Sequence, residues 1–157
     1  MDMICKRPQA IKLIRTKIQS IVFVLILSLV TSCGTQKNMV QNDQLYNATW
    51  QLEYISGPRI AFEGLFPDKK PEFKFDKGSN EVIGNSGCNG YSAPYTLNAK
   101  SISFGEPGPS TMMYCGQGEQ QFRTMMKKIN AYSFDADGKL NLMMNEVSMM
   151  RFKKVAN

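Results

Sequence analysis

Histidine is absent from this 157-residue chain, and that absence removes more chemistry than any other feature of its composition. Without an imidazole there is no Ser-His-Asp or Cys-His relay, and the commonest zinc ligand is missing. A phosphate loop is missing too: Gly116-Gln117-Gly118 follows a cysteine segment instead of a strand and lacks a third glycine. The apolar run from Ile21 to Cys33 falls short of the roughly 20 residues a spanning helix needs. There is no basic stripe, since Lys127-Lys128 and Lys153-Lys154 are isolated pairs that read as solvated ends of a helix and a strand. Residues 1–32 hold five of the 19 Lys and Arg but one of the 13 Asp and Glu, leaving 14 against 12. The formal charge of +6 therefore belongs mostly to the N-terminal segment, and no nucleic-acid partner is expected.

What that segment does have is the layout of a secretory signal. Lys6, Arg7, Lys12, Arg15 and Lys17 form a basic region opposed only by Asp2, the apolar run follows, and small Thr31-Ser32 precede a cysteine. The end Val30-Thr31-Ser32-Cys33 resembles a bacterial lipobox. The resemblance implies cleavage before Cys33, a lipid thioether on its sulfur and acylation of the new amino terminus. One acyl chain holds a protein only marginally, whereas two or three make attachment effectively permanent. The expected organisation is a lipoprotein signal peptide at 1–32, a flexible tether at 33–47 and a folded domain at 48–157. Gly34 is not the acidic residue that retains lipoproteins on the inner membrane in enteric-type sorting, so the expected address is the outer membrane, facing the periplasm.

An oxidising compartment decides how the four cysteines are read. Cys5 leaves with the signal and Cys33 takes the lipid, so Cys88 and Cys115 are natural partners, preferred over two buried free thiols. Such a bridge stabilises by about 3.5 kcal/mol on the chain-entropy model. The 11 methionines raise copper, whose cuprous ion favours thioethers. However, the doublets Met143-Met144 and Met149-Met150 fall in strand patterns, where neighbours point to opposite faces. No metal and no cofactor are expected.

From Gly34 to about Tyr46 the chain is polar and unpatterned, composition suited to a tether of roughly 20 Å reach. Period-two alternation then predicts strands at Thr49–Ile55, with Trp50, Leu52 and Tyr54 inward, and at Pro71–Asp76, Glu81–Asn85, Tyr91–Leu97 and Ser101–Phe104. Turns are expected at Lys77–Asn80 and Asp135–Gly138, and Gly105–Pro109 breaks the pattern. Phe122, Met125, Met126 and Ile129 share one helical face, predicting a helix over Glu119–Ala131. Strands resume at Tyr132–Phe134, Leu140–Met143 and Met149–Phe152. The expected fold is α+β: a mostly antiparallel curled or barrel-like β-sheet with one amphipathic helix.

Asn85-Ser86-Gly87-Cys88-Asn89-Gly90-Tyr91, the segment Thr111-Met112-Met113-Tyr114-Cys115, Glu119 with Phe122, the opening Trp50-Gln51-Leu52 and the final Gly138–Leu142 together resemble a META domain of the HslJ type, over residues 48 to 155. Tyr114 stands where that family often carries a small Ala. The resemblance implies a small envelope-facing or secreted domain linked to stress and antibiotic tolerance, with no settled activity.

The shared residues read first as architecture, with Gly87 and Gly90 supplying turn freedom and Asn89 bonding locally. The functional alternative gathers Asn89, Tyr91, Thr111 and Glu119 on one rim as a binding site. Asp135 and Asp137 are a carboxylate pair on paper, but they sit in a turn and read as solvated. The expected function is a non-enzymatic one: a membrane-anchored envelope lipoprotein whose domain serves a binding or structural role in stress or antibiotic tolerance, with an envelope protein or a small ligand as partner. The alternative is a small-ligand-binding or protease-inhibitory β-domain presenting the Gly87 to Tyr91 turn.

Overall fold

Alternating side chains in β1 (Thr49–Ile55) place Trp50 and Leu52 in the interior, and the strand forms the middle of an antiparallel sheet. The computed structural model describes residues 43–98 and 101–155. The chain divides into two units, Met1–Lys37 and Asn38–Asn157, and every described residue falls in the second. The segment read as a signal, Cys33 and the tether up to residue 42 lie outside the described residues.

On one side of β1 lie β2 (Glu72–Asp76), β3 (Glu81–Asn85), β4 (Gly90–Asn98) and β5 (Ser101–Phe104); on the other lie β8 (Val147–Val155), β7 (Leu140–Met144) and β6 (Ala131–Phe134). The eight strands order as β5-β4-β3-β2-β1-β8-β7-β6, all pairs antiparallel. The sheet curls without closing. At the seam between β5 and β6 a backbone hydrogen bond from Ile102 N–H to the Asn130 carbonyl, at 3.3 Å, links the two ends.

Inward residues of every strand meet in one core. Phe73 sits edge-on to Phe152 at 5.0 Å and to Phe75 at 5.5 Å, contacts that add about 0.5–1.5 kcal/mol each beyond the area buried. Trp50 is fully buried, and its indole N–H donates to the Leu45 carbonyl at 3.1 Å. Leu45 is itself fully buried, in a helical turn over residues 43–46. The folded unit thus takes in residues that composition alone placed in the tether, because an indole buried in a core must find an acceptor.

Three further differences have local causes. Tyr54 is 43% exposed while Ile55 is buried, since the register with β8 shifts between Leu52 and Tyr54 and reverses the facing of the strand end. The helix expected to reach Ala131 is α2 (Gly118–Met126); beyond it Asn130 N–H bonds the Met143 carbonyl at 3.0 Å, and the backbone is already claimed by the sheet. It is also not the sole helix, because α1 (Phe62–Leu65) forms between β1 and β2 and buries Leu65. The α2 face carrying Phe122, Met125 and Met126 is buried against the sheet core.

Candidate functional site

The Asn85–Tyr91 turn is built by its own polar side chains. Asn85 Oδ1 accepts the Gly87 N–H at 2.9 Å, and the Ser86 N–H donates to the Asn89 carbonyl at 2.9 Å. Gly87 holds φ at 95°, where a side chain would also strike the Phe66 ring. Cys88 leaves this turn and forms a disulfide with Cys115, their Cα atoms 5.8 Å apart.

Asn89 is the hub, and it is 4% exposed. Its Nδ2 donates to the Met113 carbonyl and to Glu119 Oε2, both at 2.7 Å. Its Oδ1 accepts from the Thr111 hydroxyl at 2.7 Å and from the Met113 N–H at 3.0 Å. Two donors and two acceptor sites are all an Asn side chain owns, so Asn89 is saturated by protein. Glu119 opens α2, close to the positive end of that helix, and its other oxygen lies 2.5 Å from the Ser86 hydroxyl.

The structure therefore joins Asn89, Thr111 and Glu119 in one network and leaves Tyr91 out of it. Tyr91 is buried, its ring edge-on to Phe122 at 5.2 Å. Burial first, and the charge of Glu106 after it, push the phenol well above its ordinary pKa, against the opposing pull of Arg123. Asn89 and Tyr91 are buried, while Gly90 between them is exposed and Gly87 and Cys88 are half-buried.

The most exposed large apolar side chains among the described residues lie on the segment the network grips. Residues 105 to 116 run without a helix, strand or bend. Gly105 N–H bonds the Pro94 carbonyl at 2.8 Å and Gly108 N–H the Ser92 carbonyl at 2.9 Å, so the segment follows the edge of β4 back toward Asn89. At its end Met112 is 98%, Met113 63% and Tyr114 86% exposed. Three consecutive large apolar side chains in water are unusual unless something covers them. That signal was present in the sequence, as Met112-Met113-Tyr114 inside a stretch punctuated by Gly and Pro.

Two hollows flank this tip. One of about 810 Å³ lies between the 105–116 segment and α2, walled by Pro107, Pro109, Tyr114 and Arg123. A smaller one of about 240 Å³ lies on the α1 side, against Phe66 and Met113. Arg123 donates to the Ser110 hydroxyl at 3.3 Å and stands 4.0 Å from Glu119, while its buried Nε has no partner among the described residues. Sequence patterning did not single out Arg123. Among the described residues no group of three or more His, Cys, Asp or Glu is placed to hold a metal.

Fold and site together define a curled antiparallel domain with one disulfide-tied, outward-facing segment. The chain belongs to the META domain family, whose model matches residues 43–157. It is similar in fold to the NMR structure of a protein from Burkholderia xenovorans, with a TM-score of 0.56 and 21% identity over 73% of this chain and 86% of that one. No curated protein matches the chain.

Proposed function

We propose that this META domain protein is a lipid-anchored component of a bacterial cell envelope that works by binding a partner protein, not by catalysis, with a place in stress or antibiotic tolerance. The observation that carries the binding role is the pairing of exposure with rigidity at Met112, Met113 and Tyr114: the side chains face water while Asn89 and the Cys88–Cys115 bridge hold the backbone. Holding a loop in one conformation beforehand lowers the entropy lost on association. A non-catalytic role is supported by the chemistry of the site, where the Glu119 oxygens are engaged by Ser86 and Asn89 and the chain has no histidine. The lipid anchor at Cys33 rests on the lipobox-like leader, and the outer-membrane address on Gly34, which is not the acidic residue of inner-membrane retention.

Two measurements on cells making the full chain test this reading. A photoreactive amino acid at position 114 is expected to give a discrete adduct, and the same probe at Ser79, in the β2–β3 turn, none. Absence of any adduct specific to position 114 contradicts the binding role. Palmitate labelling is expected to vanish in Cys33→Ser, and persistence of the label contradicts the anchor. A second reading, a small-ligand binder, is favoured by the size of the groove beside α2, about 810 Å³, within the roughly 300–1,000 Å³ of small-molecule pockets. An adduct at position 114 with no protein component would support it.

A further inference from the structure

The hydrogen bonds at the tip alternate in a way that specifies its partner. Met113 turns both its N–H and its carbonyl inward, onto the Oδ1 and Nδ2 of Asn89. In an extended chain, the backbone groups of adjacent residues point to opposite sides. The bonds of Met113 leave its neighbours' backbone groups unpaired: among the described residues neither Met112 nor Tyr114 makes a hydrogen bond. Met112 and Tyr114 thus combine unpaired backbone groups with the most exposed large side chains of the tip, 98% and 86%.

Unpaired backbone groups can take a partner chain as an added strand. The side chains here are exposed, Met112 almost fully and Tyr114 largely, so the segment suits a cleft that takes a chain by its backbone and one large side chain in a pocket. That is how an endopeptidase cleft holds a substrate. The tip is tied on both flanks, by the disulfide at Cys115 next to Tyr114 and by the Asn89 clamp one residue before it. A segment so restrained gains affinity from its fixed conformation and resists the distortion that cleavage demands.

Resting on the binding role proposed above, we infer that Met112-Met113-Tyr114 is a substrate-like inhibitory segment for an endopeptidase that prefers a large aromatic or apolar residue. Tyr114 fills the primary specificity pocket, and the backbones of Met112 and Tyr114 pair with the cleft. Met113 stays bonded to Asn89 behind them. Glu119, holding the Asn89 amide at 2.7 Å, positions the clamp without touching the enzyme.

The test uses the full chain in detergent against chymotrypsin and subtilisin, two serine endopeptidases of unrelated fold, with a chromogenic peptide anilide as reporter. Competitive inhibition of at least one is expected, weakened at least about 30-fold in Tyr114→Ala, the scale of an interface hot spot. Tyr114→Lys is expected to transfer inhibition to trypsin. Both changes lie on an 86% exposed side chain, and unaltered thermal melts confirm that each variant is folded. Asn89→Ala is expected to turn the inhibitor into a substrate cut after Tyr114. The inference is overturned by no inhibition of either enzyme, by rapid cleavage of the unaltered chain at Tyr114, or by inhibition that Tyr114→Lys neither loses nor redirects to trypsin. If a cellular adduct forms at position 114 while the peptidases are not inhibited, the binding role stands and the peptidase does not.

Discussion

Asn89 shows how one side chain can be read as a site and act as a joint. It carries every mark of a functional residue: polar, buried and next to a cysteine. Yet its four bonding positions are taken by Met113, Thr111 and Glu119. Replacing it with Ala removes these bonds and leaves Glu119 and the Met113 backbone without their partner, so Asn89→Ala is expected to cost about 2–4 kcal/mol in a denaturant titration. Asn89→Asp keeps the shape but turns two donors into acceptors facing a carboxylate and a carbonyl, and is expected to be at least as destabilising. Either variant at wild-type stability contradicts the joint. Sequence reasoning offered Asn89, Tyr91, Thr111 and Glu119 as one binding rim, the alternative to reading these shared residues as architecture, and the structure links three of the four by hydrogen bonds. The same reasoning could not see that the residues would saturate one another, nor that Tyr91 would point into the core, since spacing says nothing of side-chain valence. Arg123 escaped notice for a related reason: a single Arg on a helix carries no pattern.

Elements report a contest between local preference and packing. Gly118 opens α2, and by propensity alone Gly118→Ala is stabilising by about 1 kcal/mol. In the fold, however, a Cβ at that position overlaps the Leu65 carbonyl of α1, which is backbone and has little room to yield. Gly118→Ala is therefore expected to lower stability, by about 2 kcal/mol or more, and a higher melting temperature contradicts the α1–α2 contact. The strands were legible since alternation of Phe73 and Phe75, or of Ile102 and Phe104, has one physical cause, a sheet with one face buried. α1 was not legible: it has four residues and little periodicity to detect. The inward placement expected of Tyr54 failed at a register shift, a feature set by pairing with β8 about a hundred residues on. The exposure of Met112, Met113 and Tyr114 has no such periodic cause: the network around Asn89 and the Cys88–Cys115 bridge hold the segment that carries them.

At the scale of the whole molecule, the sheet stays open at one seam, and cross-strand ties add to its ladders. Glu53 on β1 accepts from Lys139 at 2.8 Å and from Arg151 of β8 at 2.6 Å. Its partial burial raises the carboxyl pKa, but the hydrogen bonds and charges of the two cations outweigh this, and it titrates below its ordinary 4.5. A group depressed on folding contributes fully above its unfolded pKa and loses that contribution as pH falls through the folded one. Stability is thus expected to decline below about pH 4.5 with a component that Glu53→Gln removes. Identical pH profiles for the two proteins contradict this assignment. The Cys88–Cys115 bridge spans 27 residues, and its reduction is expected to lower stability by about 3.5 kcal/mol while freeing the tip. The fold, the disulfide and the exposed tip thus make one mechanical arrangement, a curled sheet that carries a braced segment outward.

Amide hydrogen exchange at three consecutive residues tests that arrangement most directly. The Met113 amide, bonded to Asn89 Oδ1, is expected to exchange far more slowly than those of Met112 and Tyr114, and Asn89→Ala is expected to abolish the difference. Equal exchange at all three residues, or protection at Met112 or Tyr114 in the free protein, would contradict the account.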